Sequence, residues 1–316
     1  MRDSYENKIM GRAEVLDRAV MILRFNLKKF ILFSLVTALI VFFVAIVSAI
    51  VVTGIMLNSP RAFSFLFVIL GVLLFGGLIF SFNVGMINIS AQDFLGREIG
   101  VSEAVGKSLS SFFRVLKLLL LIFLYSIPVL LIFVAGGYFI FSLLSGYLIQ
   151  GQWMGSFQAV LIVLLLFAGY IGALAYFTLF CFSFHTAFLG EKKGTFAAVR
   201  DSFRLARSNF RETYGMFLLA IFIPLAINSS LEGLSGIFSS LIYLLLRVLN
   251  IDVNFFNFVA TFYNGFRIPV LIVNILVVSN LTMIVLTVFY FNRRFIDQGY
   301  DLKQKLSRLR NRGEEE

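Results

Sequence analysis

A chain of 316 residues that is 59% hydrophobic and only 14% charged is too apolar for a soluble domain, whose apolar share is nearer ~45–50%, so a bilayer is its implied solvent. Its net charge of +10 accompanies no base-reading module and is met by the sidedness of a membrane protein, which argues against a nucleic-acid partner. A single cysteine, Cys181, and a single histidine, His185, exclude a disulfide framework and any metal centre built from several such ligands.

The first 29 residues are basic and patterned as a helix, with Leu16, Val20, Leu23 and Leu27 on one face. The apolar run that follows is longer than the ~7–15-residue core of a cleavable signal, so the first span is expected to stay as an anchor. Apolar runs that meet the ~17–25 residues of a membrane-crossing helix occur at 31–57, 63–89, 118–144, 157–188, 216–246 and 269–291. Each is continuous and lacks the alternation of a barrel wall. The expected fold is an all-α integral membrane protein with six transmembrane helices.

Where the second run ends, FLGREIGVSEAV begins at Phe94, and FLGEKKGTFAAV begins at Phe188, at an offset of 94. Helical faces follow both: Val105, Leu109, Phe112 and Leu116 in one, Val199, Phe203, Ala206 and Phe210 in the other, with the Leu16 set displaced by 183. The pattern predicts three two-span repeats, each preceded by a cytoplasmic amphipathic helix lying in the headgroup plane. Repeat one is read as 11–93, repeat two as 94–187 and repeat three as 188–299, within a single membrane domain. Gly100 and Gly194 fall where the chain turns into the next such helix, a place that suits a residue without Cβ, and Ser102 and Thr195 are expected N-caps. After Gly299, Leu302, Leu306 and Leu309 begin a fourth amphipathic segment in a cytoplasmic tail, 300–316.

Of 27 basic residues, all but Arg61, Arg247 and Arg267 lie in the N-terminal segment, the connections after spans two and four, and the C-terminal segment. Basic residues are retained on the cytoplasmic side, so both termini are expected there. Arg200, Arg204, Arg207 and Arg211 repeat the helical spacing beside the apolar face and, with Arg24 and Lys28, are the candidate binders of anionic lipid headgroups. Pro128 and Pro224 are expected to bend spans three and five as packing kinks. The polar interruption Asn228, Ser229, Ser230, Glu232, Gly233, Gly236, followed by a phenylalanine-rich stretch, predicts an external cap over 228–266 with a break and short helices; a re-entrant segment is the alternative.

An ionisable group at membrane depth is costly and marks function, yet no Asp, Glu, Lys or Arg falls inside spans one to four or six. His185 stands beside Ser183 and Thr186 with no carboxylate or second histidine near it in sequence, and reads as a structural histidine. Asn83, Asn88, His185, Asn274 and Asn280 would face a common axis if the even-numbered spans surround one. They serve interhelical hydrogen bonding or, alternatively, a weakly polar solute path. No nucleophile has a base beside it, and no metal or cofactor motif is present, so an enzyme is not expected.

The segments AVRDSFRLARSNFRETYGMFLLAIFIP, 198–224, and YFNRRFIDQGYDLKQKL, 290–306, resemble a six-span bacterial integral membrane family related to the membrane domain of some glycerophosphoryl diester phosphodiesterases. The likeness runs through Tyr290, Arg294, Gly299, Tyr300, Asp301 and Leu302, while Asn292 and Gln298 stand where acids are usual. In that enzyme family the chemistry sits in a separate soluble barrel with histidine and carboxylate metal ligands, for which this chain has neither length nor histidines. The resemblance implies a membrane module without enzymatic activity, in a bacterial cytoplasmic membrane. The expected function is a non-enzymatic module that engages anionic lipid and scaffolds or assists a membrane partner, a different protein or a second copy. The alternative is a small-solute or lipid transporter or channel, although the Pro-x-acid-x-x-base signature of mitochondrial carriers, which also have three two-span repeats, is absent.

Overall fold

The computed structural model describes residues 10–58, 61–150, 156–190, 194–249, 251 and 254–297. Gly299, the 300–316 tail and its three leucines lie outside them. Every regular element described is helical: α1 (Arg12–Phe25), α2 (Leu27–Asn58), α3 (Arg61–Leu95), α4 (Val101–Ser110), α5 (Phe112–Gln150), α6 (Ser156–Thr178), α7 (Ser183–Leu189), α8 (Thr195–Ser208), α9 (Phe210–Val248), α10 (Phe255–Val273), a π-helical segment (Asn274–Val278) and α11 (Ser279–Asp297). Six stretches are long and apolar enough to cross a membrane: Leu27–Ile55, Phe67–Leu95, Phe112–Ser142, Ile162–Leu189, Phe210–Val248 and Phe255–Asp297. The protein is an all-α, multi-pass membrane protein.

The chain divides into two compact units, Met1–Phe112 with Met216–Glu316, and Phe113–Gly215. In the first unit α1 packs on α11, α4 packs on α3, and α11 also packs on α3. Its core gathers Phe30 and Phe33 of α2, Ile87 and Ile89 of α3, Ile99, and Ile284, Phe289 and Tyr290 of α11, all buried. The core sits at the basic ends of the spans. Between Thr37 and Ile55 no residue of α2 is buried, and none is in α10. In the second unit α8 packs on α7, and Leu118, Phe180, Ala187, Ala198 and Val199 form the core, with Tyr176, Phe184 and Phe203 against it. The unit boundaries do not coincide with the repeat boundaries at 93/94 and 187/188, because α4 and α8 each pack with the span that precedes them.

The three short helices begin alike. Their N-caps are Gly11, Gly100 and Gly194, with φ of −69°, −76° and −62°, so Ser102 and Thr195 are the second and first residues of their helices and not caps. Those φ values are open to any residue. The glycine whose conformation is special is Gly96, at φ 65°, where α3 ends.

Each short helix is cut off from the span after it, at Asn26, Ser111 and Asn209. Leu27, Phe112, Leu116, Phe210 and Arg211 therefore belong to the spans and do not continue the faces and stripe read from spacing. The asparagines supply the breaks, since Asn26 Nδ2 donates back to Ile22 O at 3.1 Å and Asn209 Nδ2 to Glu212 at 2.6 Å, local bonds that compete with continuing a helix.

Among the described residues the break expected at Asn228–Gly236 does not form. α9 runs unbroken through Asn228–Gly236, and α10 starts at Phe255 and continues through the π-helical segment into α11. The serines that looked like a break are satisfied within the helix: Ser230 bonds Ala226 O at 2.8 Å and Ser235 bonds Glu232 O at 2.9 Å. Span four is the interrupted one instead, with bonds such as Phe180 N to Phe177 O at 3.0 Å tightening residues 179–182 between α6 and α7.

Candidate functional site

The basic residues singled out by spacing all lie exposed. Arg24 is in the last turn of α1 and Lys28 in the first of α2; Arg200, Arg204 and Arg207 line α8, and Arg211 opens α9. On α8 the opposite side is buried, through Ala198, Val199, Ser202, Leu205 and Ala206, so the arginines are turned outward by the packing of the helix on α7. Arg204 lies 3.9 Å from Asp201. On α4, Glu103 pairs with Lys107 at 2.7 Å, and that hydrogen bond and charge hold the Glu103 carboxyl below its ordinary range.

On α1 and α4 burial runs one residue ahead of the predicted apolar faces, whereas on α8 Val199 and Ala206 of the predicted face are themselves buried. The inward residues are Val15, Ala19 and Ile22 on α1, Ala104 and Ser108 on α4, and Ala198, Val199, Ser202, Leu205 and Ala206 on α8. After Ala19 and Ser108 the next residue, larger and apolar, is left outward: Val20 is 54% exposed and Leu109 44%. Small residues let helices approach closely, which suits Ala19, Ala104 and Ser108 to the protein side. On α4 the approach is closest at Gly85 of α3, where a Cβ would meet Ser108 and the Phe33 ring at 2.5 Å. There Gly85 N donates to Ser108 Oγ at 3.0 Å. Ninety-four residues on, Ser202 Oγ donates to Leu179 O at 2.8 Å. The two phenylalanines that open the repeated motif also share a feature, Arg18 lying over the Phe94 ring at 5.9 Å and Arg114 over Phe188 at 5.2 Å.

The intramembrane polar residues separate. His185 is buried in α7, in the second unit, edge-on to Phe182 at 6.4 Å. The other four are in the first unit. Asn88 donates to Val84 O of its own helix at 2.7 Å, and Asn83 is half-buried. Asn280 reaches Ser34 of α2 at 3.1 Å and Leu276 O at 2.7 Å, while Asn274 donates to Asn228 of α9 at 2.9 Å, and Asn228 to Glu232 at 3.0 Å. The sixth span thus pairs its amides with spans one and five, the odd-numbered ones. Among the described residues no group of three His, Cys, Asp or Glu side chains is placed to hold a metal ion.

No family model matches this chain, and neither a curated protein nor a solved structure is similar to it. Its chemistry has to be read from the residues.

Three further features escaped the sequence. Thr282 Oγ1 donates at 2.9 Å to Ala220 O, the carbonyl whose helical partner Pro224 lacks; counting four back from the proline would have pointed to the carbonyl but not to the donor. Asn292 accepts from Met10 N and donates to Met10 O, both at 2.9 Å, fastening the segment before α1 onto α11. Near the same end, Gln92 bonds Asn26, and Lys29 bridges Gln92 and Glu98 at 3.4 and 3.0 Å. Such long-range pairings leave no local sequence signal.

Proposed function

We propose that this chain is a non-enzymatic module of a bacterial cytoplasmic membrane, with both termini cytoplasmic, that engages anionic lipid through its short helices and scaffolds a membrane partner. The observation that carries the reading is that each short helix buries one side against a span and leaves large apolar residues exposed on the other, Val20 and Phe25 on α1, Leu109 on α4 and Phe196 on α8. On α8 that outward side carries Arg200, Arg204 and Arg207, followed by Arg211, and at the end of α1 stand Arg24 and Lys28. A surface that is apolar and basic together fits the headgroup layer of an anionic leaflet, where a basic residue contributes about 1 kcal/mol.

The three-repeat plan belongs to the same proposal. It is supported by bonds at a common offset, Ser108 with Gly85 and Ser202 with Leu179, and by N-cap glycines at 11, 100 and 194. The kinship with the membrane domain of glycerophosphoryl diester phosphodiesterases is likewise proposed, on the motif residues. The interhelical bonding of Asn274 and Asn280 favours an assembly role for these amides over a solute path.

Replacing Arg200, Arg204, Arg207 and Arg211 together by Gln tests the reading. The variant is expected to insert normally and to lose anionic lipid during purification, measured by mass spectrometry of co-purifying lipid. Retention equal to that of the unaltered protein would count against lipid binding and for a protein-docking face.

A further inference from the structure

Two helix defects stand level with one another in the first unit. In α9, Pro224 has no amide for Ala220 O; in the last span, the π-helical segment Asn274–Val278 takes up an extra residue, with Ser279 N reaching Asn274 O. The antiparallel pairing of Ala220 with Thr282 and of Asn228 with Asn274 puts the proline beside the π-helical turn. Helices kink at prolines and at π-bulges.

Burial changes at the same level. On the basic side, α11 is buried at Asn280, Leu281 and throughout Ile284–Arg293. On the other side no residue of α10 is buried, and beyond Pro224 only Ser235 and Ser239 of α9 are. The outer arms are tied to each other at both ends. Asn274 bonds Asn228 near the defects, and Tyr243 lies edge-on to Phe255 at 4.8 Å near the tip. An element with few buried contacts on a packed base is the part that moves at low free-energy cost.

We propose that Pro224 and the π-helical segment form one hinge, about which α9 beyond Asn228 and α10 swing as a single hairpin on the packed base. Thr282 serves the hinge by keeping Ala220 O satisfied in the kinked geometry, as membrane helices require of any freed backbone group.

The full chain in lipid nanodiscs, with Cys181→Ser, tests this by double electron–electron resonance between nitroxides. Val20→Cys with Leu245→Cys reports base to hairpin, Val20→Cys with Leu109→Cys reports within the base, and Leu245→Cys with Phe256→Cys reports within the hairpin. The base-to-hairpin distribution is expected to be at least about twofold wider than either internal one, and Pro224→Ala, which restores the amide, is expected to narrow it. A base-to-hairpin distribution as narrow as the internal ones overturns the hinge, whether or not the Pro224 variant folds. Broad internal hairpin distances overturn the single-body motion, and an unchanged width in Pro224→Ala overturns the role of the proline.

Discussion

Thr282 and Pro224 illustrate how a buried carbonyl ties together residues far apart in sequence. Removing the hydroxyl by Thr282→Val strips Ala220 O of its side-chain donor while the proline withholds the helical one, at an expected cost of about 1–3 kcal/mol. With Pro224→Ala the amide returns, and the cost of Thr282→Val is expected to drop to about 0.6 kcal/mol or less. A double-mutant cycle on unfolding in detergent measures the difference, and equal costs in both backgrounds would exclude the compensation. Gly85→Ala is a second probe: its Cβ would meet Ser108 and Phe33 at 2.5 Å, with an expected destabilisation of about 1–3 kcal/mol. Gly106→Ala, on α4 with nothing within 4 Å of the added Cβ, is expected to stabilise by up to about 1 kcal/mol through helix propensity. At this scale the sequence showed which residues were polar or glycine but not their partners. Asn274 and Asn280 were legible as intramembrane amides, whereas Asn228 and Ser34 as their acceptors depend on a register that no local pattern encodes.

Among elements, the short helices were legible because a 3.6-residue period shows through even a strongly apolar chain. The inward side of α1 and α4 was not, where Ala19 and Ser108 pack inward while the larger Val20 and Leu109 face out: bulky residues lose nothing by facing acyl chains, while small ones permit close packing. Val20 and Ala19 make the contrast testable. Ala19→Leu, at a position with 0% exposure, is expected to overpack the contact with α11 at about 1–3 kcal/mol. Val20→Leu is expected to be neutral, and equal thermal stabilities of the two variants would reverse the assignment of faces. Electrostatics on α4 adds a pH term. Since Lys107 lowers the folded-state pKa of Glu103, the contribution of this exposed pair is present above the ordinary carboxylate range and is lost as pH falls through the lowered value. The misread break at 228–236 has a comparable cause. Asn, Ser and Gly are loop formers in water, but in α9 the serine hydroxyls bond carbonyls one turn back, and a polar run passes through a helix without ending it.

For the whole molecule, helix length and charge bear on sidedness together. At ~1.5 Å per residue, α5 from Lys117 to Ser145 rises about 42 Å, more than the ~30 Å hydrocarbon core. Basic residues at one end of a span are thus separated from its other end by the full membrane. Lys107, Arg114 and Lys117 precede the third span, and Arg200 to Arg211 lead into the fifth, so Ser102 and Ser208 are expected on the cytoplasmic side, and Ser145 and Ser156 on the opposite one. Single cysteines at these four positions, with Cys181→Ser, convert the expectation into a labelling pattern. Cysteines at 145 and 156 should react with an impermeant maleimide added outside once any outer membrane is opened. Cysteines at 102 and 208 should react only after the cytoplasmic membrane is permeabilised. The opposite pattern would place α8 and its arginines on the external face, where the anionic cytoplasmic leaflet is out of reach, and the lipid-engaging role proposed for them would fall with the orientation.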